Sequence, residues 1–249
     1  MTLRSAVWKQ AASFVALVAL WQLVSAFADS RVLPPPAAVL DRLAAGLVSG
    51  DLPLHIGITL ARVAGSFALA MLIGTAIGIA LGRSPALDRF FDPWLVLFLN
   101  VPALVTIILC YVWFGLIEAA AIAAVAVNKI PNVVVTLREG ARALNRDYLE
   151  MAQVFRLGPA KTLRHVVLPQ LFPFSMAAAR SGLALIWKIV LVVELLGRSN
   201  GVGFQIHLFF QFFDVASILA YTIAFVAVIQ VIELAILQPL ERRAAQWRR

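Results

Sequence analysis

Long apolar runs separated by short polar segments set the pattern of this chain. A helix needs roughly 20 mainly apolar residues to cross the hydrocarbon of a bilayer. Six segments meet that pattern: residues 11–28, 54–81, 93–115, 119–137, 172–196 and 215–240. They predict an all-α, polytopic membrane protein with about six transmembrane helices. The first run is the shortest. Arg4 and Lys9 precede it, and Ala26-Phe27-Ala28 ends it with small residues at cleavage-site spacing, which also fits a signal peptide. Its apolar stretch outruns the roughly 7–15 residues of a signal core and carries Trp21 near its outer end, which favours an uncleaved span. Leu33-Pro34-Pro35-Pro36 then breaks the chain, because proline lacks a donor and disfavours helix before it. Residues 37–48 read as a short amphipathic surface helix with Asp41 and Arg42 on its wet side.

Inside the spans the pattern has interruptions. Gly74, Gly78 and Gly82 recur every four residues and give the second span one smooth stripe for close approach of another helix, as a packing device or as a contact between subunits. Asn100 and Pro102 interrupt the third span, and Asn128 and Pro131 the fourth. Breaks at membrane depth survive only where protein or a wet cavity satisfies the freed backbone groups, which favours a transport route over a purely structural bundle.

Composition agrees with this picture. The chain has 249 residues, is 62% hydrophobic and only 14% charged, too little charge for a water-facing surface of this size. Its length suits one membrane domain, residues 1–249, with no ATPase or binding domain of its own expected. The formal charge of +8 lies mostly in short loops, which reads as membrane orientation rather than nucleic-acid binding. With the N-terminus inside, fourteen Lys and Arg fall on cytoplasmic segments and three (Arg31, Arg42 and Arg198) outside, so both termini are expected in the cytoplasm. The single cysteine, Cys110, sits in an apolar run and reads as a small buried hydrophobe.

Residues 138–171, rich in Arg between the fourth and fifth spans, read as a cytoplasmic loop patterned for helix. Asp147 is expected to cap a helix starting at Tyr148, with Leu149, Ala152 and Phe155 near one face and Glu150 and Arg156 elsewhere. Gly158-Pro159 is expected to end it, and a second helical piece over 161–167 to close at Leu168-Pro169. A helix–turn–helix of this kind, with small Ala152 on it, reads as a docking knob. It holds no group that could hydrolyse anything.

Glu150-Met151-Ala152, then Gly158, then Val166-Val167-Leu168-Pro169 resemble the EAA loop of binding-protein-dependent ABC importer permeases. In that family the loop forms the coupling helix that inserts into a groove on the ATPase. Two residues depart from the pattern: Met151 replaces the usual alanine, and Arg156 occupies the usual glycine position, with Gly158 two residues later, so a shifted turn is expected. The segments Thr59 to Gly65, Leu81-Gly82-Arg83-Ser84, Trp113-Phe114-Gly115, Glu194-Leu195-Leu196-Gly197, Gly201-Val202-Gly203 and Leu240-Glu241-Arg242-Arg243, with the proline run after the first span, resemble the nitrate/sulfonate/taurine branch in order along nearly the whole chain. The resemblance implies a type I ABC importer permease fold in the bacterial inner membrane, a permease homodimer in lipid, a cytoplasmic ABC ATPase dimer that uses ATP and Mg, and a periplasmic or lipid-anchored solute-binding protein. It implies no cofactor on this chain, no enzymatic activity of its own and no nucleic-acid partner. ATP-driven closure of the ATPases would move the coupling helices and reopen the spans outward by alternating access.

Four basic residues lie within the expected spans: Arg62, Lys129, Arg180 and Lys188. An ionisable group at the bilayer centre costs roughly 2.5–3.5 kcal/mol on insertion scales, so each needs a reason. Arg62 and Arg180 occupy positions where the family commonly has arginine and read as structural charges, with Glu194 and Glu233 as candidate partners. Lys129 and Lys188 lie outside the family pattern. They read either as a lining that attracts an anion, or as ions that snorkel or pair, Lys129 with Glu118 or Glu194. The expected pathway set is therefore Asn100, Asn128, Lys129, Arg180 and Lys188, and the expected ATPase-docking set is Glu150, Met151, Ala152, Arg156, Gly158, Leu168 and Pro169. Gln205, His207 and Gln211 offer further hydrogen bonds, beside aromatic residues Phe204, Phe209, Phe210, Phe212 and Phe213 suited to the membrane interface.

A self-contained secondary transporter or channel would need a coupling-ion site and matched acids that Glu118, Glu194 and Glu233 do not supply. A membrane enzyme would need a phosphate loop, HExxH or a nucleophile with matched His and acid, and none is in the sequence. The reading is a permease subunit moving a small solute, such as sulfonate, taurine or nitrate; a pyrimidine vitamin precursor stays open within the same family.

Overall fold

The computed structural model describes residues 3–28 and 32–240, and all regular structure among them is helical. In chain order the helices are α1 (Leu3–Phe27), α2 (Pro36–Ser49), α3 (Asp51–Arg83), α4 (Pro85–Asn100), α5 (Ala103–Phe114), α6 (Glu118–Arg142), α7 (Arg146–Val154), α8 (Pro159–Thr162), α9 (Leu168–Gly197), α10 (Val202–Gln211) and α11 (Val215–Ile232). Four helical runs are long and apolar enough to cross a membrane: Asp51–Arg83, Glu118–Arg142, Pro159–Gly197 and Val215–Leu240. The expected third span is two helices: α4 and α5 meet at 96° around Val101-Pro102, so the pair is a broken span or a re-entrant loop. The first span is shorter than the others, with an apolar helical stretch at Ala12–Phe27. The count is thus four to five plus a short first helix, where about six were expected. The C-terminal basic residues Arg242, Arg243, Arg248 and Arg249, and Arg31, on which part of the orientation count rests, lie outside the described residues.

The core is built around α3, α6 and α9. Gly74, Gly78 and Gly82 face α6: a β-carbon on each would fall 2.6 Å from Val133 Cβ, 2.7 Å from Leu137 Cβ and 2.5 Å from Ala141 Cβ. The stripe therefore seats a helix of the same chain, with backbone carbonyls of Ile130, Val134 and Arg138 also at short range. Cys110 is buried in the α5–α6–α9 core as a free thiol. Helix α2 lies against α11, with Val39 buried and Arg42 exposed 3.6 Å from Asp214.

Two expectations about local structure are corrected. Pro131 does not interrupt the fourth span: α6 runs unbroken past it, and Pro131 is buried. Burial between α3 and α9 fixes the path of α6, overriding the local cost of a proline. The segment 138–171 is mostly not a loop. Residues 138–142 are the last turn of α6, and the chain from Pro159 continues as helix into α9 instead of closing at Leu168-Pro169. A π-helical turn at Leu163–Val167 lets it pass Pro169, with Leu168 N–H reaching Leu163 O. Charge in this stretch marked water, and helices that extend beyond the bilayer satisfy that equally well.

Candidate functional site

Helix α7 projects where α6 ends and the Pro159–Gly197 run begins. Asn145, not Asp147, caps it: Asn145 Oδ1 accepts from Asp147 N–H at 2.8 Å, so the helix starts at Arg146. Its C-terminus closes on Arg156, whose φ of 51° is left-handed, with Leu157 N–H donating to Ala152 O at 2.8 Å. The turn is therefore not shifted to Gly158, whose φ is −63°. Arg156 holds the strained conformation a glycine adopts freely, at a cost of about 1 kcal/mol.

Gln170 ties the base of α7 to the long helix: its Oε1 accepts from Asn145 N–H at 2.9 Å and its Nε2 donates to Val166 O at 3.0 Å. Ala152 faces inward and is 1% exposed, and Leu149 packs on the Leu137–Leu171 core. Phe155 is not on their face; it follows the last helical residue and is 72% exposed, as are Tyr148, Met151 and Val154 in large part. Glu150, Arg156, Gly158, Leu168 and Pro169 are also exposed. Between α7 and the start of the long helix lies an open groove of about 820 Å³, walled by Tyr148, Met151, Arg164, His165, Leu168 and Phe172.

An ionic clasp at the same end fixes α4 to α6. Arg138 Nη1 lies 2.6 Å from Asp92 and 3.2 Å from Asp88, and Arg142 bonds Asp88 and Glu139. No sequence spacing announced it, because Asp88 and Arg138 are fifty positions apart.

The opposite end of the bundle holds a buried polar cluster. Arg62, 3% exposed, donates to Glu118 Oε1 at 2.5 Å, Glu194 Oε1 at 2.7 Å and Asn200 O at 2.8 Å. Glu194, fully buried, also accepts from Thr59 Oγ1 at 2.9 Å and Gly203 N–H at 2.8 Å, and Val202 N–H donates to Thr59. Gly201 is at φ +104°, and a β-carbon there would strike the Glu194 carboxylate at 2.3 Å. Arg62 also reaches Glu118 Oε2 at 3.0 Å, and Arg198 pairs with that same oxygen at 2.7 Å. His55 Nδ1 accepts from Gly201 N–H at 3.0 Å and its other ring nitrogen meets Gln205. The 198–203 turn is thereby stitched to α3 and α6. Sequence reasoning singled out Arg62 and Glu194 but missed Thr59, His55 and Asn200, whose role depends on contacts more than a hundred residues apart.

Of the expected pathway residues, Arg180 and Lys188 share the exposed face of α9 with Ser181, Ala184, Leu185 and Val192. Arg180 lies 3.7 Å from Glu233. Asn100 is exposed at the α4–α5 bend, its amide on Val96 O at 2.7 Å. Asn128 is half-buried on α6, and Asn132, one turn on, is exposed; that four-residue spacing was the signal for Asn132. Lys129 is apart from these: it is 2% exposed and pairs with neither Glu118 nor Glu194, which are held by Arg62 and Arg198.

Residues 54–243 match the family model of the binding-protein-dependent transport system inner membrane component. This chain belongs to that family. It is therefore the permease component of an ABC importer, a membrane protein of a family that works with an ATPase and a binding protein. The permease is 30% identical over 93% of its length to the aliphatic sulfonates transport permease SsuC of Bacillus subtilis (strain 168), of which it covers 84%. It is 29% identical over 92% of its length to the taurine transport permease TauC of Escherichia coli (strain K12), covering 84% of that chain. A nitrate import permease, NrtB of Synechocystis, is 25% identical over 80% of the chain and 75% of NrtB. These relatives place the permease in the sulfonate/taurine/nitrate branch. Its fold is also that of the inward-facing MetNI methionine ABC transporter, at a TM-score of 0.66 and 18% identity over 76% of this chain and 94% of that one.

Proposed function

We propose that this permease is one half of a homodimeric pore in the bacterial inner membrane, driven by a separate cytoplasmic ATPase pair that docks on α7, and that its solute is a small anion delivered by an external binding protein. Tyr148, Met151, Val154 and Phe155 carry the docking reading. They expose large apolar surface on a helix that is not among the runs long and apolar enough to cross a membrane. The backing of α7 by Leu149, Ala152 and the Gln170 clamp makes it stiff enough to transmit a push into the 39-residue Pro159–Gly197 run. Glu150, Arg156, Gly158, Leu168 and Pro169 complete the docking surface. On this reading α7 is cytoplasmic, both termini are inside, ATP and Mg bind the partner, and the Arg62 cluster faces outward. The anion follows from the sulfonate, taurine and nitrate permeases among the relatives and from the surplus of cations inside the spans. Asn100, Asn128, Arg180 and Lys188 are the proposed lining of the route. A charged face such as that of α9 belongs against water or protein rather than lipid. The docking test is copurification: Phe155→Glu is expected to lose at least tenfold of the ATPase recovered with the permease, without loss of permease from the membrane. Full recovery would overturn the assignment of α7.

A further inference from the structure

Lys129 lies near the middle of α6, roughly 16 Å along the axis from Glu118 and roughly 20 Å from Arg142 at 1.5 Å per residue. It is buried, and it makes no hydrogen bond or ion pair among the described residues. A buried ammonium is stable only with a counter-charge or strong acceptors. The acids of the spans are committed elsewhere: Glu118 and Glu194 to Arg62 and Arg198, Glu233 to Arg180, and Asp88, Asp92 and Glu139 to Arg138 and Arg142. A second copy of the chain would bring the same acids in the same pairs. Lipid phosphates lie at the interface, far from mid-helix. Among the described residues the fold itself offers no carboxylate to an ammonium at this depth, and a transported anion is a counter-charge that reaches membrane depth from outside the fold.

The wall opposite Lys129 is shaped for its tail. A β-carbon at Gly182 of α9 would sit 2.9 Å from Lys129 Cε and 3.8 Å from Nζ. Gly182 belongs to the same unbroken run that begins at Pro159 beside α7, so a displacement of α7 moves the surface covering the lysine.

We propose that Lys129 is an anion-binding group on the α6–α9 seam, uncovered when α9 moves at Gly182, and that it neutralises a small solute bearing one negative charge. A lysine is a compact point charge with three donors, so it accepts tetrahedral sulfonate and planar nitrate or carboxylate oxygens alike, unlike the planar fork of arginine. This rests on the permease reading above and deepens it.

The test uses the whole importer, permease with its ATPase and binding protein, in proteoliposomes with ATP inside and labelled taurine, ethanesulfonate, nitrate or bicarbonate outside. Lys129→Met is expected to reduce import of the carried anion at least tenfold, and Lys129→Arg to retain a third or more of it. Lys129→Met importing within twofold of wild type overturns the proposal, as does a wild type that imports none of the four solutes. If Lys129→Met does not reach the membrane, Gly182→Ala decides: a methyl pressed against Lys129 Cε is expected to raise the KM for the anion at least fivefold, and an unchanged KM overturns the proposal. Failure of the docking reading shows separately, as a wild-type permease from which no ATPase copurifies.

Discussion

Arg62 and Lys129 are both cations inside membrane-spanning helices, and both are all but sealed from solvent, at 3% and 2% exposure. Their surroundings differ completely. Arg62 has two carboxylates, a backbone carbonyl and an amide oxygen within hydrogen-bond reach, and one of those carboxylates is braced by a threonine and a backbone N–H. Lys129 has a glycine notch. Burial of a charge therefore says little about its role until its counter-charge is located. Where the fold supplies it, the ion joins chain segments that lie far apart in sequence, here α3, α6 and the 198–203 turn. Where the fold withholds it, as at Lys129, the proposed counter-charge is a solute that comes and goes.

The largest expected effect lies in the saturated cluster. Glu194→Ala leaves Arg62 half-paired and strips Thr59 and Gly203 N–H of their acceptor, so it is expected to cost about 3–5 kcal/mol, seen as a lower unfolding temperature in detergent and loss of permease from the membrane. A Glu194→Ala permease as stable as wild type would break the contrast. The clasp between α4 and α6 provides an intermediate case, since Asp92 is about half exposed and water screens it. Asp92→Asn, which leaves Arg138 paired with Asp88, is expected to cost about 1 kcal/mol or less, a small shift in the same melting measurement. A loss as large as that of Glu194→Ala would mean that ion pairs at both ends carry equal weight and that burial does not decide.

Much of the fold was legible in the sequence, because apolar runs of spanning length have few alternatives. The Gly74–Gly82 stripe was readable as a packing face, but not which helix it met. Pro102 announced a break without its 96° angle. Pro131 announced a break that does not exist, since packing on both sides of α6 overrides a local preference. That α7 is helical was readable, yet its outward face was not: Ala152 turns inward and Phe155 out, set by how Leu149 seats α7 on the cluster around Leu171 and Val167 rather than by periodicity over nine residues. Lys129 stood out in the sequence as a charge in an apolar run. That no acid meets it could be learned only from where the other acids went.

The contrast is tested most directly by unfolding Arg62→Met and Lys129→Met permeases side by side in one detergent. Arg62→Met strands a buried carboxylate and should unfold well below wild type, whereas Lys129→Met removes an unmatched charge and should unfold at or above it. A Lys129→Met permease destabilised as much as Arg62→Met would show that Lys129 holds the fold together, and would contradict the account.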